Sequence, residues 1–188
     1  MEINDSPALL LIDIQKGLDE LDYYGGDRNN LKAEENAGRI LQYWRNKGRP
    51  VFHVKHNSTS PESPLRKGKP GNEIKEIVRP INDEPVIEKN VNSAFIGTNL
   101  KERLEQNGIK KLVIAGLTTE HCISTSVRMA VNLGFETFLI SDATAAFDKS
   151  TPEGGKYPAQ LVHEIALANL SDEFATVLNT DEIINLFK

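Results

Sequence analysis

The chain contains a single cysteine, Cys122, so no disulfide can form within it, and the composition fits a reducing compartment. Basic residues are in the minority: 22 lysines and arginines stand against 27 aspartates and glutamates, a formal charge of -5. That balance repels phosphate backbones and anionic membranes, so neither is an expected partner. Long hydrophobic runs are missing too. Ala8 to Ile12 is far shorter than the roughly 18 apolar residues a membrane span needs. Met1 to Pro7 carries acidic groups and no basic leader region, which makes the cytoplasm the expected location. What remains, 39% hydrophobic and 26% charged over 188 residues, can bury a full core, and a single domain over residues 1–188 is expected.

The apolar residues come in short continuous bursts, the pattern of strands buried on both faces of a parallel sheet. Ala8 to Ile12, Val51 to Val54, Pro85 to Ile87, Leu112 to Ala115, Thr137 to Ile140 and Ala175 to Leu178 each predict a strand. Helical periodicity fills most gaps: Leu31 to Lys47 before Gly48, Leu100 to Gln106 before Gly108, Ile123 to Leu133 before Gly134, and Ala159 to Leu170. Asp181 to Phe187 follows Thr180, read as its N-cap. Alternating strands and helices predict an α/β fold with helices on both sheet faces. The exception is Asn57 to Asn72, a loop with three prolines and no period, of a length usual for lids or mobile inserts.

Parallel sheets bind ligands at the carboxyl ends of their strands. Asp13 directly follows the first strand, Lys89 stands two residues after Ile87, and Cys122 begins the helix after the strand Leu112 to Ala115. Singly, these read as a turn residue, a solvated cation and a small buried thiol. Jointly they match what a thiol nucleophile needs. A helix start and a nearby ammonium favour thiolate, and a carboxylate can take the proton and return it to a leaving amine. On this reading Cys122 has a depressed pKa. Gly116 lets the chain turn sharply after the strand, and amide N–H groups at a helix start can face an oxyanion.

The motifs Leu11-Ile12-Asp13-Ile14-Gln15, Glu88-Lys89 followed by Ser93-Ala94-Phe95, Gly116-Leu117-Thr118 leading to Cys122, Arg128, Gly134-Phe135, Ser141-Asp142-Ala143, Val162-His163 and Leu167-Ala168 follow one another along nearly the whole chain. In this order they resemble the isochorismatase-like cysteine hydrolases, which include nicotinamidases, N-carbamoylsarcosine amidase and ureidoacrylate hydrolases. The resemblance implies a three-layer α/β/α Rossmann-like fold with a six-stranded parallel sheet in the order 3-2-1-4-5-6, and a crevice between the first and fourth strands. It further implies Asp13, Lys89 and Cys122 as catalytic triad, a cis peptide between Leu117 and Thr118, and an oxyanion hole from the Thr118 and Cys122 amides. Gln15, Leu18, Asn92, Phe95, Thr119 and Phe147 are expected near a pocket for a small amide-type substrate, with His56 facing it from a strand end. The resemblance, together with the apolar helices around Val127 and Ala130, implies a homodimer or homotetramer.

The chain departs from the nicotinamidase branch in lacking its aspartate-x-histidine metal pattern; here the residues are His53-Val54-Lys55-His56. Three apart on a strand, His53 and His56 face opposite sides and chelate one ion poorly, so no metal and no cofactor is expected. His53 is expected buried and hydrogen-bonded, and His163 likewise. Glu120 and His121, on the turn into the helix, are read as shaping the pocket or a subunit contact, and Arg128 as a helix-surface or interface group. Arg66, Lys67 and Lys69 either attract a carboxylate or are solvated. The leading activity is hydrolysis of a non-peptide C–N bond in a small amide, ureido or carbamoyl compound through a thioester on Cys122. The alternatives are vinyl-ether hydrolysis of the isochorismate type, and a non-catalytic thiol sensor or interaction module.

Overall fold

Six apolar runs pair into one parallel sheet: β1 (Ala8–Ile12), β2 (Val51–His56), β3 (Val86–Lys89), β4 (Lys111–Leu117), β5 (Glu136–Ala145) and, at its far edge, β8 (Thr176–Leu178). The structure, a computed structural model, describes residues 6–188; Met1 to Asp5, part of the stretch read for a leader, lie outside the described residues. Sheet order is β3-β2-β1-β4-β5-β8. This is the order 3-2-1-4-5-6 strand for strand. The last strand is the eighth in the chain because a short antiparallel hairpin, β6 (Lys149–Ser150) and β7 (Lys156–Tyr157), precedes it.

Strand ends differ from the apolar runs where polar residues still find sheet partners. β2 continues to His56 and β3 to Lys89, paired in register. β5 runs through Ser141 and Asp142 to Ala145, past a register shift between Ile114 and Gly116. Ser141 Oγ donates to the Leu178 carbonyl at 3.2 Å, and Asp142 Oδ1 accepts from Thr180 N–H and Oγ1–H at 2.8 and 2.7 Å.

The sheet's period of two divides the core. Ala8, Leu10 and Ile12 point to one face with Ile114 and Leu139, under α3 (Leu100–Gln106) and α4 (Ser124–Asn132). Leu9, Leu11 and Val113 point to the other, under α2 (Ala33–Asn46) and α6 (Thr180–Leu186). Val127 and Ala130 are fully buried in the first of these cores. Two shorter or displaced elements complete the layers: α1 (Leu21–Tyr24) and α5 (Ala159–Ala168). Leu31, read as helical, precedes α2 and is exposed. The N-cap of α6 is Asn179 rather than Thr180. Its side chain accepts from Glu182 N–H at 2.9 Å, while Glu182 Oε2 accepts from Asn179 N–H at 2.7 Å, a reciprocal pair that satisfies two otherwise orphaned helix donors.

Asn57 to Asn72 is largely irregular, as its composition predicts, but it is tied down at its base. Asn72 is buried, and its Nδ2 donates to the carbonyls of His56 and Leu65 and to Asn57 Oδ1 at 2.7–3.1 Å. Ser63, Pro64 and Leu65 are buried with it. Among the described residues no helix is long and apolar enough to cross a membrane.

Candidate active site

Four neighbouring strands each deliver one reactive side chain at the carboxyl edge: Lys89 from β3, His56 from β2, Asp13 just after β1, and Cys122 beyond β4. His56 and Lys89 are register partners, so their side chains rise from the same face. Asp13 turns the chain in a left-handed conformation, φ 55°, which costs a non-glycine residue on the order of 1–3 kcal/mol and is tolerated where surrounding contacts fix it. Its N–H is held by the Val54 carbonyl at 2.9 Å. Cys122 does not open α4. It lies in a single π-helical turn, Thr119–Ile123, wedged between β4 and α4. The Leu117–Thr118 peptide leading into that turn is cis. At Gly116, φ is 135° and a Cβ would lie 1.9 Å from the Ile12 carbonyl oxygen. Only glycine therefore lets β4 pass this close to β1.

The Lys89 ammonium is the hub. Its Nζ lies 2.6 Å from Asp13 Oδ2, 3.0 Å from His56 Nδ1 and 3.2 Å from Cys122 Sγ, which accounts for its three donors. The Asp13 and Lys89 side chains are 2% and 0% exposed. The second carboxylate oxygen, Asp13 Oδ1, is buried with no hydrogen-bond partner among the described residues. Asp13, His56 and Cys122 are also the group of His, Cys and carboxylate ligands, among the described residues, close enough to share an ion. The ammonium already contacts all three.

The Cys122 thiol is pushed up from its ordinary value, first by burial and then by the Asp13 charge; the Lys89 charge opposes this without reversing it. This corrects the sequence reading of a depressed pKa. One buried ammonium can neutralise one anion, and Asp13 has that place. Burial also lowers His56, helped by the charge of Lys89, which keeps the imidazole neutral at ordinary pH.

A cavity of about 360 Å³ opens over Cys122, Asp13 and Thr118. Of the residues expected around a substrate, Leu18, His56, Asn92 and Phe147 line it; Gln15, Phe95 and Thr119 do not. Gln15 is fully buried, with its amide accepting from His56 N–H at 2.8 Å and donating to the His56 and Asn72 carbonyls. It braces the His56 backbone. Phe95 stacks on Phe135 in the core, ring centroids 6.1 Å apart. The Thr119 hydroxyl is bonded to His163 Nδ1 at 2.8 Å.

The sequence reading missed one wall. Tyr24 stacks on Phe147 with centroids 4.9 Å apart, and Tyr23 packs edge-on against Tyr24. Ser58, Ser63 and Leu65 of the irregular loop add to the cavity lining. The signal was an aromatic pair just before Gly25-Gly26, too short a segment to register as periodic. Lys149 also lines the cavity, with its Nζ 2.9 Å from His121 Nε2 and 3.2 Å from Glu120 Oε1. His121 thus does shape the pocket.

The remaining flagged residues have local partners. His53 is buried and bonded to Glu84 Oε2 at 2.9 Å. His163 holds Thr119 and sits 3.3 Å from Asn30 Nδ2. Arg128 covers the Phe174 ring at 4.3 Å. Lys67 pairs with Glu88 at 2.9 Å and Lys69 with the Glu62 carbonyl at 3.2 Å, while Arg66 borders a second, open recess beside Lys89.

The sequence of the isochorismatase domain matches residues 7–182 of this chain. The chain belongs to the isochorismatase family. It is 50% identical over 185 residues to YrdC, an uncharacterized isochorismatase-family protein of Bacillus subtilis, covering 98% of each chain. It is 32% identical over 189 residues to nicotinamidase 3 of Arabidopsis thaliana, covering 94% of this chain and 86% of that one. Among solved structures, an isochorismatase-family protein of Chromobacterium violaceum superposes with a TM-score of 0.91 at 42% identity, over 97% of this chain and 93% of the other. The family fixes the fold and the broad class, an isochorismatase-family hydrolase.

Proposed function

We propose that the chain hydrolyses the non-peptide C–N bond of a small amide, ureido or carbamoyl compound through a thioester on Cys122, with Asp13 and Lys89 completing the triad. The observation carrying this reading is that the Lys89 ammonium touches both Asp13 Oδ2 and Cys122 Sγ, at 2.6 and 3.2 Å, while the second carboxylate oxygen, Asp13 Oδ1, is buried without a partner among the described residues. The thiol proton passes to Asp13 Oδ1 as Sγ attacks the carbonyl carbon, so the cluster keeps its net charge and the ammonium now faces a sulfur nucleophile. The C–S bond forms and the carbonyl electrons move to oxygen, where the Thr118 and Cys122 N–H groups receive them. Collapse breaks the C–N bond, and Asp13 gives its proton to the leaving amine. Water then attacks the thioester with Asp13 as base, releasing the acid and restoring the thiol.

Nicotinamidase activity in a relative of similar length supports amide hydrolysis as the reaction class. The half-buried thiol, pushed up rather than down, speaks against a sensor, whose cysteine should be exposed and of low pKa. A homo-oligomer belongs to the same proposal, and light scattering giving only the 20.9 kDa monomer would count against that part. Ammonia release from a panel containing nicotinamide, N-carbamoylsarcosine and simple ureas tests the activity. Loss of all ammonia release in Cys122→Ala supports the reading; retained release would overturn the thioester mechanism.

A further inference from the structure

The hub has a fourth member that the triad does not use. His56 ends β2 opposite Lys89 on β3, and its Nδ1 lies 3.0 Å from the ammonium. An ammonium only donates, so Nδ1 must be the unprotonated nitrogen, and the ring proton sits on Nε2. The strand end that carries the ring is clamped: Gln15 bonds both the N–H and the carbonyl of His56, and Asn72 bonds the carbonyl again. Two buried polar side chains thus fix the backbone from which the imidazole reaches Lys89.

We propose that His56 is a positioning residue of the catalytic centre: its neutral imidazole takes the third hydrogen bond of the Lys89 ammonium and holds that charge between Asp13 and Cys122. This rests on the thiol mechanism above but adds a requirement of its own. Without an acceptor at this position, one N–H of a fully buried ammonium is orphaned, and the group is free to swing off the line joining carboxylate and sulfur. The charged and polar groups facing the ring are Lys89 from β3, Asp13 after β1, Cys122 from the π-turn, and the Val91 carbonyl. A protonated imidazole would lose its acceptor nitrogen and set a second cation against Lys89.

The test pairs a structural readout with a chemical one on the intact chain. Long-range ¹H–¹⁵N correlation spectra of ¹⁵N-histidine-labelled protein at pH 7.5 should show His56 as the Nε2–H tautomer with Nδ1 unprotonated. An Nδ1–H tautomer would overturn the proposal. In parallel, the rate at which iodoacetamide alkylates Cys122 is followed by intact mass in wild type, His56→Asn and His56→Leu. Asparagine places an oxygen acceptor near the position of Nδ1, so His56→Asn should stay within about threefold of wild type. His56→Leu should be slower by tenfold or more. If the two variants are equally slow, shape rather than the acceptor matters; if neither is slowed, His56 acts only on substrate. Either result overturns the inference. Should amide turnover prove absent in every assay while the tautomer and the Asn–Leu difference stand, the thiol-hydrolase reading fails and the positioning role does not.

Discussion

Lys89 Nζ and Asp13 Oδ2 are 2.6 Å apart and both side chains are sealed from solvent, so the cation that touches Cys122 Sγ is also ion-paired to the Asp13 carboxylate. Removing one partner of such a pair leaves an uncompensated buried charge, at a cost of about 3–5 kcal/mol. Lys89→Met should therefore lower the melting temperature as well as abolish turnover, while the double variant Lys89→Met with Asp13→Asn should recover much of the stability and none of the activity. Thermal unfolding of the set measures this. A double variant no more stable than Lys89→Met alone would show that the pair is not the source of the loss.

Because burial and Asp13 raise the Cys122 thiol, iodoacetamide should react with it at pH 7 more slowly than with a free cysteine, and the rate should keep climbing above pH 9. The sign follows from the protonated form being favoured in the fold. A rate already level by pH 7 would mean that Lys89 outweighs the carboxylate. Asp13→Asn removes the negative charge that raises the thiol and should make alkylation faster at neutral pH, while turnover falls on the order of a hundredfold or more for want of a proton carrier.

Glu84 links the chemistry-free end of the sheet to acid stability. Burial alone would raise its carboxyl, but hydrogen bonds from Arg45, His53 and the Ile81 N–H overcome this and hold it at about 2. Its contribution to stability is thus present above the ordinary value of 4.5 and lost as pH falls from there towards 2. Glu84→Gln should melt lower than wild type at pH 7 and converge with it near pH 2. Parallel melting curves across that whole range would remove the assigned role.

Catalysis should survive dialysis against EDTA, with no stoichiometric metal by elemental analysis of active protein. The ground is the Lys89 ammonium, which occupies the centre of Asp13, His56 and Cys122, where an ion would have to displace it. Activity lost on dialysis and recovered with zinc or iron would refute this.

The sheet was legible because strands buried on both faces are continuous apolar runs, and the meeting of Asp13, Lys89 and Cys122 because strand ends are where parallel sheets place ligands. What failed to show was direction. Gln15 and Asp13 are two residues apart, yet Gln15 turns under the His56 backbone while Asp13 faces the cavity, and Thr119 faces His163 although it adjoins Thr118. The Cys122 titration was misjudged because charges can be counted along a sequence and burial cannot. The Tyr24–Phe147 wall joins residues more than a hundred positions apart, a pairing no local pattern encodes.

The delivery of Lys89, His56, Asp13 and Cys122 by four adjacent strands also makes the centre a clock for folding. β1 must find β4 across about a hundred residues of intervening chain before Asp13 and Cys122 meet, and such non-local pairing is slow relative to helix formation. During refolding, Cys122 should lose its unfolded-state accessibility to a thiol reagent only when that central pairing is made, so its protection would time the moment the sheet closes.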